Sequence, residues 1–170
     1  MFRYKNPIFL FLFCILSIPL LSKIITIDSH IDIPFDYMEN PEHDPGKITD
    51  MQVDLYKMKK GGLDSGFFVV YVPQGPLDKA GFKNARLLAE KKFLAISKMI
   101  KTYSNQIGLA LAPEDIIQLK NNKLLSAAIG IENGYVIGED LSLLDYYYSL
   151  GARYMTCLLY TSDAADEQDR

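Results

Sequence analysis

The chain has 170 residues and a formal net charge of −3 at pH 7, with 49% apolar and 23% charged residues. This length allows one domain with a hydrophobic core, and the composition is that of a globular protein. The acidic balance and the scattered lysines and arginines argue against a nucleic-acid partner. Two cysteines, Cys14 and Cys157, make no disulfide framework and too small a ligand set for a thiolate zinc site.

The first 22 residues are interpreted as a targeting segment, either a signal peptide or a membrane anchor. Arg3 and Lys5 form a basic start, and residues 6–22 carry no charge. An apolar run of this length is typical of a signal peptide and marginal for a membrane span, which needs about 20 residues. The segment therefore predicts an exported protein that is periplasmic or membrane-associated, and it leaves anchoring through residues 1–22 open.

Five segments after this leader have the pattern of strands. The β-branched run KIITID (23–28) predicts a short strand, and the runs GFFVVYV (66–72) and LLSAAIGIEN (124–133) predict strands buried on both faces. Two weaker strands are predicted in IGLAL (107–111) and RYMTCLL (153–159). A polar, proline-containing loop follows the first strand.

Helices are predicted between these strands, over VDLYKMKKGG (53–62), 79–103, APEDIIQLKNN (112–122) and GEDLSLLDYYYSLG (138–151). The expected buried stripe of the long helix is Phe82, Ala85, Ala89, Phe93, Ile96, Ile100 and Tyr103, with lysines on the opposite face. The expected buried side of the last helix is Leu141, Leu144 and Tyr148. Regular alternation without hairpin signals indicates an α/β fold with a parallel sheet.

A scarce histidine and two acids lie where chemistry is expected in such a sheet. His30 and Glu132 come at the carboxyl ends of predicted strands, the edge at which parallel α/β folds build their sites. Asp32 is two residues from His30, so on an extended backbone both side chains point the same way and can reach one ion. Imidazole with carboxylate suits zinc or a similar divalent metal. Asp28 is a candidate for orienting the ring.

Structural roles are the alternative for the same residues. A histidine at a strand end is often only hydrogen-bonded, and Glu132 could cap a helix. The second histidine, His43, lies in a loop among acids and prolines and is interpreted as solvated.

Three segments, in the right order, resemble the membrane dipeptidases, the M19 family of zinc peptidases. DSHIDIP (28–34) is similar to the DGHNDLP signature of that family. VDLYKMKKGGLDSGFFVVYV (53–72) is similar to its segment D-L-x-x-L-x-x-G-G-v-g-x-Q-x-f-s-x-y-v. AAIGIENGYVIGEDLSLLDYYYSLGARYMT (127–156) resembles the segment in which IEGG or IENG precedes a helix and then G-x-R-Y-x-T.

This resemblance implies the N-terminal portion of a (β/α)8 TIM-like barrel with two zinc ions at its C-terminal mouth. It implies that His30 and Asp32 bind one zinc and that Glu132, the catalytic carboxylate, bridges both. The implied substrate is a dipeptide, cut by a hydroxide held between the ions. A homodimer is left open.

The resemblance stops near the end of the chain. The family continues with Leu-Thr-His and supplies further zinc-binding histidines from later strands, whereas here no histidine follows His43. The expected organisation is a leader (1–22), a partial dipeptidase domain (23–156) and a non-family tail (157–170), interpreted as foreign sequence introduced by an artefact. Truncation of the barrel predicts that this chain is inactive while the full-length parent is active.

Two other functions are kept open. One is a different metal-dependent barrel hydrolase, although amidohydrolases typically begin with HxH rather than the HxD found here. The other is an exported, non-enzymatic α/β binding module in which His30 and Glu132 are structural.

Overall fold

Strands and helices alternate in the computed structural model, which describes residues 24–156. The strands are β1 (Ile27–Asp32), β2 (Ser65–Tyr71), β3 (Ile107–Leu109), β4 (Leu125–Glu132) and β5 (Ala152–Met155). The helices are α1 (Leu55–Gly61), α2 (Lys79–Thr102), α3 (Pro113–Asn121) and α4 (Ser142–Ser149). Short 3-10 helices at Pro41–His43 and Gly134–Ile137 were not predicted. The predicted α/β fold is confirmed, and each predicted strand and helix has a counterpart.

The sheet is parallel throughout the described residues. β2 lies between β1 and β4. β3 and β5 share the other edge of β4: β3 pairs with the beginning of β4 and β5 with its end. Within the described part of the chain, β1 and β5 therefore have a strand partner on one side only, so the sheet is open there.

The core forms where β2 and β4 are covered on both faces. Seven of the eight residues of β4 are buried, as its continuous apolar run predicts. The predicted stripe of α2 is also confirmed, because Ala85, Ala89, Phe93 and Ile96 are buried, and Phe82, Ile100 and Tyr103 pack partly buried against the core.

The predicted buried face of α4 is wrong. Leu143 and Tyr147 are buried, whereas Leu141, Leu144 and Tyr148 are 70%, 43% and 62% exposed. The buried pair, Leu143 and Tyr147, has a spacing of four residues. The exposed pair, Leu144 and Tyr148, has the same spacing, so spacing alone could not choose between the two faces of the helix. The ring of Tyr147 stacks on Phe93 of α2 with a centroid distance of 5.5 Å, and this contact decides which face turns inward.

The first strand also differs from its prediction, since it covers Ile27–Asp32 rather than residues 23–28. Its pairing with β2 shifts between Asp28 and Ile31, where three steps along β1 match two along β2. Such a bulge re-aims side chains and is common beside functional sites. With these bounds, His30 and Asp32 lie within β1 rather than after it, and the residue between them, Ile31, is buried.

Among residues 24–156, no helix combines the length and apolar character needed to cross a bilayer. The predicted leader (1–22) with Cys14, and the predicted tail (157–170) with Cys157, lie outside the described residues. Export, anchoring and the origin of the tail remain predictions.

Candidate metal centre

Three side chains from two non-adjacent strands converge at the carboxyl edge of the sheet. Nε2 of His30 lies 3.1 Å from Oε2 of Glu132 and 3.6 Å from Oδ1 of Asp32. One donor atom from each residue lies within 4.8 Å of the other two. β2 lies between β1 and β4. The side chain of His30, which lies at the bulge of β1, therefore has to reach across β2 to meet Glu132. The structure thus brings together all three residues that the sequence singled out.

The donor set has the chemistry of a divalent metal site. An imidazole nitrogen and two carboxylates are ligands that zinc accepts. Asp32 has a side chain that is 74% exposed, whereas the side chain of Glu132 is only 21% exposed. Two carboxylates facing one imidazole offer more negative charge than the imidazole alone can balance, which favours a cation between them.

The cluster opens into a cleft of about 1070 Å³. One wall is formed by the end of β1 and the residues after it, and the other by the first 3-10 helix and residues 47–53. Ile48 and Met51 contribute apolar surface to this second wall, and Lys47 and Asp50 contribute charge. A small polar molecule can therefore enter and reach the cluster.

Asp28 does not orient the His30 ring, contrary to the prediction. Its Oδ1 instead accepts a hydrogen bond of 2.9 Å from the backbone N–H of His30. The ring nitrogen Nδ1 lies 3.4 Å from the hydroxyl oxygen of Tyr154 in β5, and that hydroxyl donates to the carbonyl of Ser29 over 3.0 Å. Burial and the nearby carboxylates of Glu132, Asp32 and Asp28 raise the pKa of Tyr154, so its hydroxyl stays protonated.

Lys92 is a buried cation close to the cluster that sequence reasoning missed. It is 3% exposed and its Nζ donates to the carbonyl of Ile33 over 2.7 Å. The ammonium also lies 4.5 Å from the ring centroid of Phe35. Burial lowers the pKa of Lys92 to about 8, and the charges of Asp32 and Glu132 only partly oppose that effect.

A signal for Lys92 was present in the sequence. Ala85, Ala89, Lys92, Ile96 and Met99 follow one another at steps of three and four, and all five are buried. A lysine at such a position of an apolar stripe must find a polar partner inside the protein.

His43 is not fully solvated, contrary to its interpretation from sequence. Its side chain is 33% exposed, and its Nδ1 lies 2.5 Å from Oδ1 of Asp36. Hydrogen bonds from Asn40 and His43 hold the pKa of Asp36 below its usual value. His43 lines the cleft but does not belong to the three-residue cluster.

The capping role considered for Glu132 falls to its neighbour. Asn133 adopts a left-handed backbone conformation with φ of 80°, and its side-chain oxygen accepts from the N–H of Tyr135 at the start of the 3-10 helix. Its amide nitrogen donates to the carbonyl of Val72 over 3.3 Å. The carboxylate of Glu132 is thereby left facing His30.

Comparison with known proteins identifies relatives of this chain. The sequence model of the family described as membrane dipeptidase (peptidase family M19) matches residues 17–169. Dipeptidase 3 of Mus musculus is 27% identical over 135 residues, which is 76% of this chain and 26% of that protein. Dipeptidase verJ of Clonostachys rogersoniana is 24% identical over 153 residues, or 82% of this chain and 39% of that protein.

Solved structures of peptidases are also similar to this chain in fold. The probable dipeptidase PvdM from Pseudomonas aeruginosa superposes with a TM-score of 0.71 at 27% identity, covering 79% of this chain and 34% of that one. A metallopeptidase from Rhodobacter sphaeroides, liganded with a phosphinate mimic of the dipeptide L-Ala-D-Ala, has a TM-score of 0.64 at 21% identity, covering 78% and 44%.

The chain spans between about a quarter and two fifths of the curated relatives described above. The family match extends over most of the predicted tail (157–170), whose origin stays a prediction. Because the match covers most of the sequence, the chain belongs to the membrane dipeptidase family.

Proposed function

We propose that this member of the membrane dipeptidase family comes from a zinc-dependent dipeptidase. The supporting observation is the convergence of His30, Asp32 and Glu132 at the carboxyl edge of a parallel sheet, where α/β enzymes build their sites. Family membership supports the reaction class. The geometry supports these three residues as part of its metal centre.

In this proposal His30 and Asp32 would hold one zinc ion, and Glu132 would serve as a ligand to that ion and to a second. Zinc held there would act as a Lewis acid that lowers the pKa of water and polarises the scissile carbonyl. The remaining ligands of the second ion would come from residues beyond those described, on later strands of a (β/α)8 barrel.

The chain's own residues would prepare the site for this chemistry. Glu132 is held at the end of the most buried strand, so its carboxylate has little freedom to move. Lys92 places a positive charge near Asp32 and Glu132 and offsets part of their mutual repulsion. The cleft would admit the dipeptide, and its wall carries Asp50 and Lys47, the latter paired with Asp44.

The isolated chain is expected to be inactive. Its described residues supply three clustered ligands, and the strands β1 and β5 each have one free edge among those residues. A barrel depends on closure of its sheet for a fixed geometry. Activity therefore belongs to the full-length protein that contains this chain.

Hydrolysis of L-Ala-D-Ala by the full-length protein tests the proposal. We expect activity that a chelator removes and zinc restores. Glu132→Gln should abolish it, because a neutral amide cannot bridge two cations as a carboxylate does. The matched control Glu114→Gln, at an exposed position of α3, should retain activity. Full activity in Glu132→Gln would show that the site is assigned wrongly. A wild type that neither binds zinc nor hydrolyses the dipeptide would favour a binding module instead.

A further inference from the structure

We propose that Tyr154 is a positioning residue that orients the imidazole of His30 so that Nε2 points to the proposed metal position. The inference rests on the proposed function, since it takes His30 to be a ligand. It concerns a residue of β5 that makes no hydrogen bond to Asp32 or Glu132 in the described structure.

The first support is a chain of hydrogen bonds. The hydroxyl of Tyr154 donates its one proton to the carbonyl of Ser29, with an O–O distance of 3.0 Å. Its oxygen then has only lone pairs to offer to Nδ1 of His30, which lies 3.4 Å away. With a metal on Nε2, the neutral ring would carry its proton on Nδ1 and donate it to this oxygen.

The consequence for His30 is a fixed ring orientation. A neutral imidazole has a proton on one nitrogen and a lone pair on the other, so protonation of Nδ1 leaves the lone pair on Nε2. Nε2 is the atom that faces Glu132 and Asp32. Histidines that bind metals commonly donate their second ring N–H to a fixed acceptor, which orients the ring.

The second support is the packing that carries Tyr154 to His30. Tyr154 is paired with Gly130 of β4. A Cβ atom at residue 130 would lie 2.1 Å from Cζ of Tyr154, so only glycine lets the ring cross β4 at this point. Beyond β4 the ring packs on Phe67 of β2, with centroids 5.1 Å apart. The side chain thus spans two strands to reach β1.

The third support is the lack of a competing partner within residues 24–156. Asp28, the other candidate, is engaged with the backbone N–H of His30. Tyr154 is the side chain that meets Nδ1 there. The ring is therefore oriented from β5, and the ligand pair on β1 depends on a strand with which β1 is not paired.

Zinc affinity of the full-length protein, measured by competition with a chelator, tests this role. Tyr154→Phe keeps the ring that packs on Gly130 and removes only the hydroxyl. We expect it to bind zinc about 10-fold more weakly, the lower end of the effect of removing such a partner. Tyr56→Phe, at a half-exposed position of α1, should bind as the wild type does.

A double-mutant cycle separates positioning from general structural damage. If Tyr154 acts through His30, Tyr154→Phe should have no further effect on zinc affinity in a His30→Gln background.

The outcomes distinguish the two proposals. Wild-type protein that binds no zinc overturns the proposed function, and this inference with it. Zinc binding that His30→Gln weakens and Tyr154→Phe leaves unchanged overturns the role of Tyr154 alone. An equal loss on Tyr154→Phe with and without His30 also overturns it.

Discussion

The two ends of the parallel sheet use the same carboxylate group for opposite purposes. At the amino end, Oδ2 of Asp64 accepts from the backbone N–H of Thr26 over 2.9 Å and from Nζ of Lys120 over 2.6 Å. At the carboxyl end, Asp32 and Glu132 face each other around His30, and the nearest buried cation, Lys92, is bonded to a backbone carbonyl.

This difference separates stability from binding. Burial raises the pKa of Asp64, but the hydrogen bonds from Lys120 and Thr26 outweigh it and leave the pKa below its usual value. At the amino end, the charge of Asp64 is therefore balanced by its own hydrogen-bond partners. The carboxyl end keeps negative charge directed at an open cleft, which is the condition for holding a cation. A similar division between the two faces is general in barrels of this kind.

The largest expected effect on stability lies at the amino end. Asp64→Asn should lower the free energy of unfolding by about 2 kcal/mol, because it removes the negative charge that strengthens the hydrogen bonds from Thr26 and Lys120. Zinc affinity should not change. Asp145→Asn, at an exposed position of α4, is the matched control and should be neutral in a denaturant titration.

The acid dependence of the same variant sharpens the contrast. Because the folded pKa of Asp64 is depressed, its contribution is present above the unfolded value of about 3.9 and disappears as the pH falls through the folded value. The stability difference between wild type and Asp64→Asn should shrink over that range. A difference that is constant down to pH 2 would contradict this account of the amino end.

A smaller effect is expected from Lys92. Its folded pKa of about 8 lies below the unfolded value of about 10.4, so between them the unfolded chain holds a proton that the folded chain lacks. Raising the pH therefore favours folding. From about pH 7 to about pH 9, metal-free wild type should gain about 1 kcal/mol relative to Lys92→Met. Parallel pH profiles of the two proteins would contradict burial of a charged lysine beside the site.

Much of the fold was predictable because the two central strands are covered on both faces. β2 and β4 appear in the sequence as continuous apolar runs, and their predicted bounds differ from the observed ones by one residue at each end. β1 was harder to place because its last four residues, SHID, carry the candidate ligands and are mostly polar. A strand that ends in a binding site loses the apolar pattern by which strands are found.

The three residues of the candidate site could be predicted from the sequence, whereas the residues that contact or surround them could not. His30, Asp32 and Glu132 could be found from residue type and position along predicted strands. Tyr154 and Lys92 could not, since each acts across elements that are distant in sequence: Tyr154 reaches from β5 to β1, and Lys92 reaches from α2 to the residue after β1. Such contacts depend on tertiary packing, such as the space above Gly130, which no local pattern records.

The zinc content of the purified full-length protein tests most directly whether His30, Asp32 and Glu132 belong to a metal centre. We expect two zinc ions per chain in the wild type and at most one in the double variant His30→Gln/Asp32→Asn, with the metal-free form of both still folded. Equal zinc content in the two proteins, or none in the wild type, would contradict the assignment of this cluster as a metal centre.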